Sequence, residues 1–167
     1  MKLQETLHLP LSATAAAAMY ADPEYPGFRR ETLHARTAES EVDGDPAGAF
    51  TVSTRLELPT DKVPDMARPF IGSSLVIRER QEWEDPAADG SRRGRATFTV
   101  EGTPASMTAT LSLVPDGEDA AQVRIDGDLV AKVPLLGPRL EKAALPYVSS
   151  VLTAEQRSAA AYRKAKA

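Results

Sequence analysis

Several residue types that carry enzyme chemistry are missing or rare in this chain of 167 residues. It has no cysteine, which excludes disulfide bonds, zinc–thiolate sites and thiol nucleophiles together. The only histidines, His8 and His34, lack the close spacing of a metal-binding pair. A histidine that acts as a general base needs a positioned partner, and the sequence identifies none for either residue. The Gly-x-Ser-x-Gly motif of serine hydrolases is also absent. We therefore expect no metal and no cofactor, and the sequence identifies no catalytic residue.

Concentrated charge and long apolar runs are lacking as well. The 20 basic and 24 acidic residues give a net charge of −4, without the basic cluster of a nucleic-acid-binding protein. No stretch approaches the roughly 20 apolar residues of a membrane span, and Glu5 and His8 interrupt the start of the chain. These features predict one soluble, cytoplasmic domain over residues 1–167, with no nucleic-acid partner and no stable membrane insertion.

The first third of the chain reads as a strand followed by small helices. Residues 2–9 place leucines in steps of two, as in a half-buried strand, with Glu5 on the same side. Ser12 can cap an alanine-rich helix over 13–21. Asp22 and Pro23 indicate the start of a second short helix, which Pro26 and Gly27 distort or delay.

The middle of the chain is dominated by strand patterns that turn residues separate. Alternation of apolar and polar side chains predicts strands at 49–58, 74–83, 95–100, 107–114 and 121–133. The turn-like segments 85–91 and 115–119 connect some of them, so the strands form an antiparallel meander with one buried face. Residues 59–69 resemble a short helix that Pro69 ends.

The last thirty or so residues are predicted to form one amphipathic helix or two collinear ones. Apolar residues recur at steps of three and four from Leu136 to Tyr162, whereas charged residues such as Glu155 occupy other angles. Pro138 is tolerable if it lies in the first turn, but Pro146 should kink the helix. A single helix of about 10 Å diameter cannot fully cover the concave face of the meander, so we expect a cavity beneath it.

Four segments, taken in order, resemble the helix-grip fold of the START-related (SRPBCC) superfamily, in particular a bacterial branch of it. They are LPLSATAAAAMYADPEY (9–25), ERQEW (79–83), VEGTPASMTATLSL (100–113) and VPLLGPRLEK (133–142). The resemblance implies an α+β fold in which a curved antiparallel sheet of six to seven strands wraps around a long C-terminal helix, with two small helices after strand one. It also implies a pocket of the kind used for lipids, polyketides, hormones or other apolar molecules, and in some branches for cyclisation chemistry or chaperone stimulation.

The inward residues of the strands and of the terminal helix are the candidate ligand-binding residues. They are Phe50, Val52, Thr54, Leu56, Leu75, Ile77, Glu79, Phe98, Leu111, Ile125, Leu136, Leu140, Tyr147 and Val151.

Among these candidates, Glu79 is unusual because alternation places it on the apolar face, where an unpaired carboxylate is costly. It either orients a ligand or moves a proton in the pocket, or else it lies at a strand bulge or at the solvated mouth. Glu5 has the same alternatives. Trp83 is either a core anchor or a platform for a ligand, and Tyr147 offers its hydroxyl either to a ligand or to the backbone.

Three classes of function are compatible with this sequence, and the third is the least favoured. The favoured one is a binding or carrier protein for a small apolar, lipid- or polyketide-like molecule, since the pocket faces carry few converging polar groups. The second is a cyclase- or hydratase-type enzyme that uses a pocket carboxylate such as Glu79. The third is a regulatory interaction protein with a closed cavity. The oligomeric state is not predicted.

Overall fold

The computed structural model describes residues 1–167 and contains seven strands and four α-helices. In chain order they are β1 (Lys2–Leu9), α1 (Ala13–Tyr20), α2 (Tyr25–Leu33), β2 (Thr37–Gly44), β3 (Phe50–Leu58), β4 (Leu75–Trp83), β5 (Arg92–Val100), β6 (Ala105–Pro115), β7 (Ala121–Ala131), α3 (Gly137–Thr153) and α4 (Glu155–Lys166). The predicted α+β architecture, with two short helices after the first strand and a helical C-terminal region, is confirmed.

All seven strands form one antiparallel sheet in the order β1-β7-β6-β5-β4-β3-β2. Strands that follow one another from β2 to β7 are paired neighbours, as expected for a meander, and β1 joins the far side by pairing with β7. Edge strand β2 shows no clear apolar alternation in its sequence, because all of its residues are exposed or half-buried. Its neighbour β3 alternates regularly between buried and half-buried residues.

The two short helices follow the local rules of helix initiation. The Ser12 hydroxyl accepts a hydrogen bond from the Ala15 amide at 3.1 Å and thereby caps α1, as predicted. Helix α2 begins at Tyr25, two residues later than the predicted proline start, so that Pro26 lies in the first turn. A proline is tolerated there because the first amides of a helix have no helical acceptor.

The C-terminal region is helical over 30 residues and is interrupted at Ala154, between α3 and α4. Pro138 lies in the first turn of α3, where it is tolerated, and the helix continues through Pro146. Gly137 is needed at the start of α3, since a Cβ atom at this position would lie 2.5 Å from the Ala131 carbonyl oxygen. This close approach fixes where the helix leaves the sheet.

The predicted helix over 59–69 is wrong. The segment forms turns and a single 3₁₀ turn, Arg68–Phe70, because Pro59, Pro64 and Pro69 remove the amide donors that a continuous helix requires. The loop that results, residues 59–74, lies where β3 ends and β4 begins.

Burial is uneven along the concave face of the sheet. A large core cluster joins α1, α4 and one half of the sheet, and it includes Leu7, Met19, Trp83 and Leu113. Two smaller clusters lie around Leu56 and around Met107. None of the helices combines the length and the apolar character needed to cross a membrane.

Candidate ligand-binding site

An apolar cavity lies between α3 and the inner face of β4 to β7. Its volume is about 150 Å³, and 19 of its 25 lining residues are hydrophobic. The wall is completed by loop 59–74, the turn 101–104 and the end of β7. Pro104 belongs to the lining and is exposed, so the cavity is open on this side. An apolar cavity of this size is comparable with one that holds a benzene molecule.

The structure brings half of the predicted residues together in the cavity wall. The strands and α3 contribute Leu75, Ile77, Glu79, Phe98, Leu140, Tyr147 and Val151. Residues that sequence reasoning missed complete the lining, notably Val63 and Phe70 of loop 59–74 and Met107 of β6. The loop residues were missed because a loop has no period from which an inward face can be read.

The predicted residues on β3 lie elsewhere. Phe50, Val52, Thr54 and Leu56 are buried in side-chain packing and do not line the main cavity. The physical reason is that α2 packs against β2 and β3 and covers this part of the concave face. The free volume is therefore shifted towards β4 to β7, beneath α3.

Three further predicted residues are also outside the main cavity. Leu111 and Ile125 lie in the core and border only a narrow space beside Glu79. Leu136 precedes the first turn of α3 and is 39% exposed, because the chain turns outward between β7 and the helix.

Glu79 forms a buried ion pair at the inner end of the cavity. Its carboxylate accepts two hydrogen bonds from the Arg29 guanidinium of α2, at 2.8 and 2.9 Å, and only 5% of Glu79 is exposed. The regular register of β4, with Glu79 opposite Thr54 and Phe98, excludes a bulge. Although burial disfavours a charged guanidinium, the Glu79 carboxylate raises the pKa of Arg29 above its usual range.

Neither sequence explanation of the Glu79 position, a bulge or a solvated mouth, accounts for its environment. A carboxylate buried on an apolar face requires a cation as a partner, so the sequence indicates that a basic residue lies next to Glu79. Arg29 and Arg30 are adjacent in sequence, however, and only the packing of α2 decides that Arg29 points inward.

Glu155, at the start of α4, is half-buried and is the second carboxyl group near this end of the cavity. It accepts hydrogen bonds from the hydroxyls of Tyr20 at 2.9 Å and Tyr25 at 3.4 Å. Burial raises the pKa of Glu155, although the Arg29 charge and the Tyr20 hydroxyl act in the opposite direction. The sequence pattern predicts Glu155 on the outer side of the helix, and this prediction is wrong. Glu155 faces inward because the interruption at Ala154 changes the helical phase.

Glu5 and Trp83 both have structural roles. The half-buried Glu5 carboxylate accepts a hydrogen bond from the Ser149 hydroxyl and so joins β1 to α3. Trp83 is 3% exposed and stacks on Tyr20 with ring centroids 5.6 Å apart, which makes it a core anchor. Its indole N–H donates a hydrogen bond to the Gln81 side chain at 3.1 Å.

Tyr147 of α3 places a phenol in the cavity wall. Burial, together with the nearby Asp61 carboxylate, raises the pKa of Tyr147 to about 12. The hydroxyl therefore stays protonated at neutral pH and can donate a hydrogen bond.

His8 and His34 are both exposed, and no group of three histidine or acidic side chains is placed to bind a metal.

Sequence comparison identifies one family. A family model described as "Protein of unknown function (DUF2505)" matches residues 4–162. No curated protein sequence matches this chain significantly.

Solved structures resemble this chain over nearly its whole length. TTHA0849 from Thermus thermophilus is 15% identical with a TM-score of 0.61, covering 97% of this chain and 99% of that chain. The Zhui aromatase/cyclase from a Streptomyces species is 14% identical with a TM-score of 0.59, covering 95% and 90%. A START superfamily protein from Mycobacterium smegmatis is 19% identical with a TM-score of 0.57, covering 96% and 98%. At such identities the similarity shows the fold alone, which is START-like helix-grip.

Proposed function

Since the chain belongs to the DUF2505 family and has a START-like helix-grip fold, we propose that it binds or carries a small apolar molecule in the cavity beneath α3. The observation that carries this proposal is the lining of the cavity, 19 hydrophobic residues out of 25. Transfer of apolar surface from water into such a lining is favourable by about 25 cal/mol per Å². The ligand is therefore recognised mainly by its shape and its apolar surface.

The size of the cavity narrows the class of ligand. A volume of about 150 Å³ suits one small ring system or a branched chain of similar bulk. A larger lipid- or polyketide-like molecule requires part of its length to extend through the open side, or α3 to move outward. The Tyr147 hydroxyl can orient a ligand that carries one hydrogen-bond acceptor.

The environment of Glu79 favours a binding protein over an enzyme that uses this carboxylate as a base. Both of its oxygens accept hydrogen bonds from Arg29, so neither is free to take a proton from a substrate. The likeness to an aromatase/cyclase is a likeness of fold and does not supply a free carboxylate.

Ala144→Phe is the substitution that tests the cavity. Ala144 lines it from α3, so a phenyl group there would fill much of its volume. We expect the affinity for a neutral apolar dye such as Nile red to fall at least about tenfold, the loss of roughly one buried ring. The measurement is a fluorescence titration, and circular dichroism monitors the fold.

Ala160→Phe is the matched control, because Ala160 is exposed on α4. It should bind the dye as the wild type does. Native mass spectrometry of protein purified from its own host would identify a retained molecule. Equal dye binding by both variants and the wild type, with no retained molecule, would contradict the proposal.

A further inference from the structure

The open side of the cavity lies at one end of the molecule, where several chain segments meet. Because the sheet is antiparallel, the ends of β3, β5 and β7 and the starts of β4 and β6 share this edge. Loop 59–74, the turn 101–104 and residues 132–142, which include the start of α3, are therefore neighbours around the entrance. We call them together the rim.

The rim exposes apolar side chains that the fold does not require. Leu135 is 98% exposed and Leu136 is 39% exposed, and across the entrance Met66 is 42% exposed. Leu135 also has a φ of 65°, a left-handed conformation that is unfavourable for residues other than glycine, asparagine and aspartate. A glycine or an asparagine would relieve this strain, so neither packing nor backbone geometry explains a leucine at this position.

Unpaired positive charge surrounds the two leucines. Lys132, Arg139 and Lys142 are exposed and form no ion pair. The one acidic residue among them, Glu141, is bound by the N-terminal ammonium group and by the Ala131 amide. This segment is therefore locally basic in a protein whose net charge is −4.

The opposite side of the entrance is electrically balanced. Loop 59–74 carries Lys62 and Arg68 together with Asp61 and Asp65, and Arg68 pairs with Asp65 at 3.1 Å. In the turn 101–104, the exposed Glu101 is paired with Arg78 at 3.1 Å. The unpaired positive charge of the rim thus lies within residues 132–142, on either side of the exposed leucines.

We propose that the rim is a docking surface for an anionic lipid bilayer. In this arrangement Leu135 and Leu136 enter the acyl boundary of the membrane, while Lys132, Arg139 and Lys142 contact anionic headgroups. The position of the surface, at the entrance of an apolar cavity, gives a direct route for a ligand that partitions into lipid. That last step rests on the proposed function, whereas the docking itself does not.

A bilayer fits the rim better than a protein partner does. Two leucines on a projecting segment, with flexible cations around them, are far fewer residues than the roughly 20–30 that a stable protein interface uses on each side. An anionic membrane, by contrast, needs only a few inserted side chains and several nearby cations for weak, reversible binding.

The test is co-sedimentation of the full-length protein with vesicles. One set contains phosphatidylcholine alone and the other contains equal parts of phosphatidylcholine and phosphatidylglycerol. We expect the wild type to bind the anionic vesicles and to be released by added salt. The double variant Leu135→Asn, Leu136→Ser should lower the vesicle partition coefficient on the order of tenfold or more.

Matched controls separate the rim from general surface effects. Val42→Ser removes an exposed apolar side chain from edge strand β2, away from the rim, and should leave vesicle binding unchanged. The charge variant Lys132→Glu, Arg139→Glu should abolish binding to anionic vesicles. The variant Arg163→Glu, Lys164→Glu makes the same change in net charge, but on exposed residues near the C-terminal end of α4. It should retain binding.

The proposal is overturned if the wild type binds neither set of vesicles, or if the control variants lose binding as the rim variants do. It is also overturned if the leucine variant changes only the oligomeric state in size-exclusion chromatography, which would make the rim a protein contact. Nile red binding without vesicles, measured on the same variants, tests the cavity separately. Its failure would contradict the proposed function and leave the docking result unaffected.

Discussion

At the scale of single residues, the main polar feature is a buried ion pair near the cavity. Arg29 and Glu79 are 8% and 5% exposed, and each neutralises the other through two hydrogen bonds. Desolvation of the two charges offsets much of their attraction. Removal of one partner is therefore costly, whereas replacement of both partners by apolar residues costs little. The pair joins α2 to β4 and thereby holds the helix that covers β3.

Glu79→Gln should lower the free energy of unfolding by about 3–5 kcal/mol, because it leaves the buried Arg29 charge without its hydrogen-bonded counterion. Urea denaturation measures the change. The double variant Arg29→Leu, Glu79→Leu is the control, and it should recover most of the loss because no charge then remains buried. A double variant as unstable as Glu79→Gln would show that the loss is not caused by an unpaired charge.

Leu135→Asn should raise the free energy of unfolding by about 1 kcal/mol, since asparagine adopts the left-handed conformation at lower cost than leucine. Leu135→Ala is the matched control. Alanine lacks the short polar side chain with which asparagine can hydrogen-bond to the nearby backbone at a φ of 65°, so this variant should gain nothing. Thermal or urea unfolding compares the variants, and equal stability of the two would argue against strain at this position.

At the scale of secondary-structure elements, the interruption at Ala154 determines what the C-terminal region can reach. It lets α3 line the cavity and turns Glu155 of α4 towards Tyr20 and Tyr25. Three helices are thus joined through one carboxyl group. Because burial raises the pKa of Glu155, the folded protein favours the protonated form of this group more than the unfolded chain does.

The stability of the wild type should therefore depend on pH in a defined direction. The contribution of Glu155 is fully present below its unfolded pKa of about 4.3, and it is lost as the pH rises through the higher folded pKa. Glu155→Gln removes this titration while keeping an acceptor for Tyr20. We expect its melting temperature to fall less than that of the wild type between pH 5 and pH 8. Parallel curves for the two proteins would contradict this assignment.

At the scale of the whole molecule, the concave face of the sheet has a packed half and an open half. Helices α1, α2 and α4 fill the first with the large core cluster, whereas α3 covers the second incompletely. Removal of a side chain should therefore have different effects in the two halves, because a new void in a packed core costs more than the enlargement of an existing one.

Leu7→Ala and Leu140→Ala test this division. Leu7 is fully buried in the main cluster, so its loss should cost about 3–5 kcal/mol of unfolding free energy. Leu140 is 7% exposed and lines the cavity, and its replacement should cost about 1–2 kcal/mol and accommodate a larger apolar dye. Equal costs with unchanged dye binding would indicate that the region beneath α3 is an ordinary packed core.

The sequence by itself determined the elements whose signal is local. Alternation located β1 and the strands β3 to β7, Ser12 marked the start of α1, and the spacing of apolar residues indicated the C-terminal helical region. Edge strand β2 and the proline-rich loop 59–74 were missed or misassigned, because exposure removes the apolar period in one and the prolines remove helical donors in the other.

Tertiary structure alone decided how those elements cover one another, and therefore where the site lies. Alternation found the inward faces of β3 and β4 equally well, but the packing of α2 closes the first and leaves the second open beneath α3. The partnership of Arg29 with Glu79 joins residues 50 positions apart, and the inward turn of Glu155 follows from a break that no pattern marks. Such contacts depend on the packing of whole elements, and a local pattern of side chains carries no information about that packing.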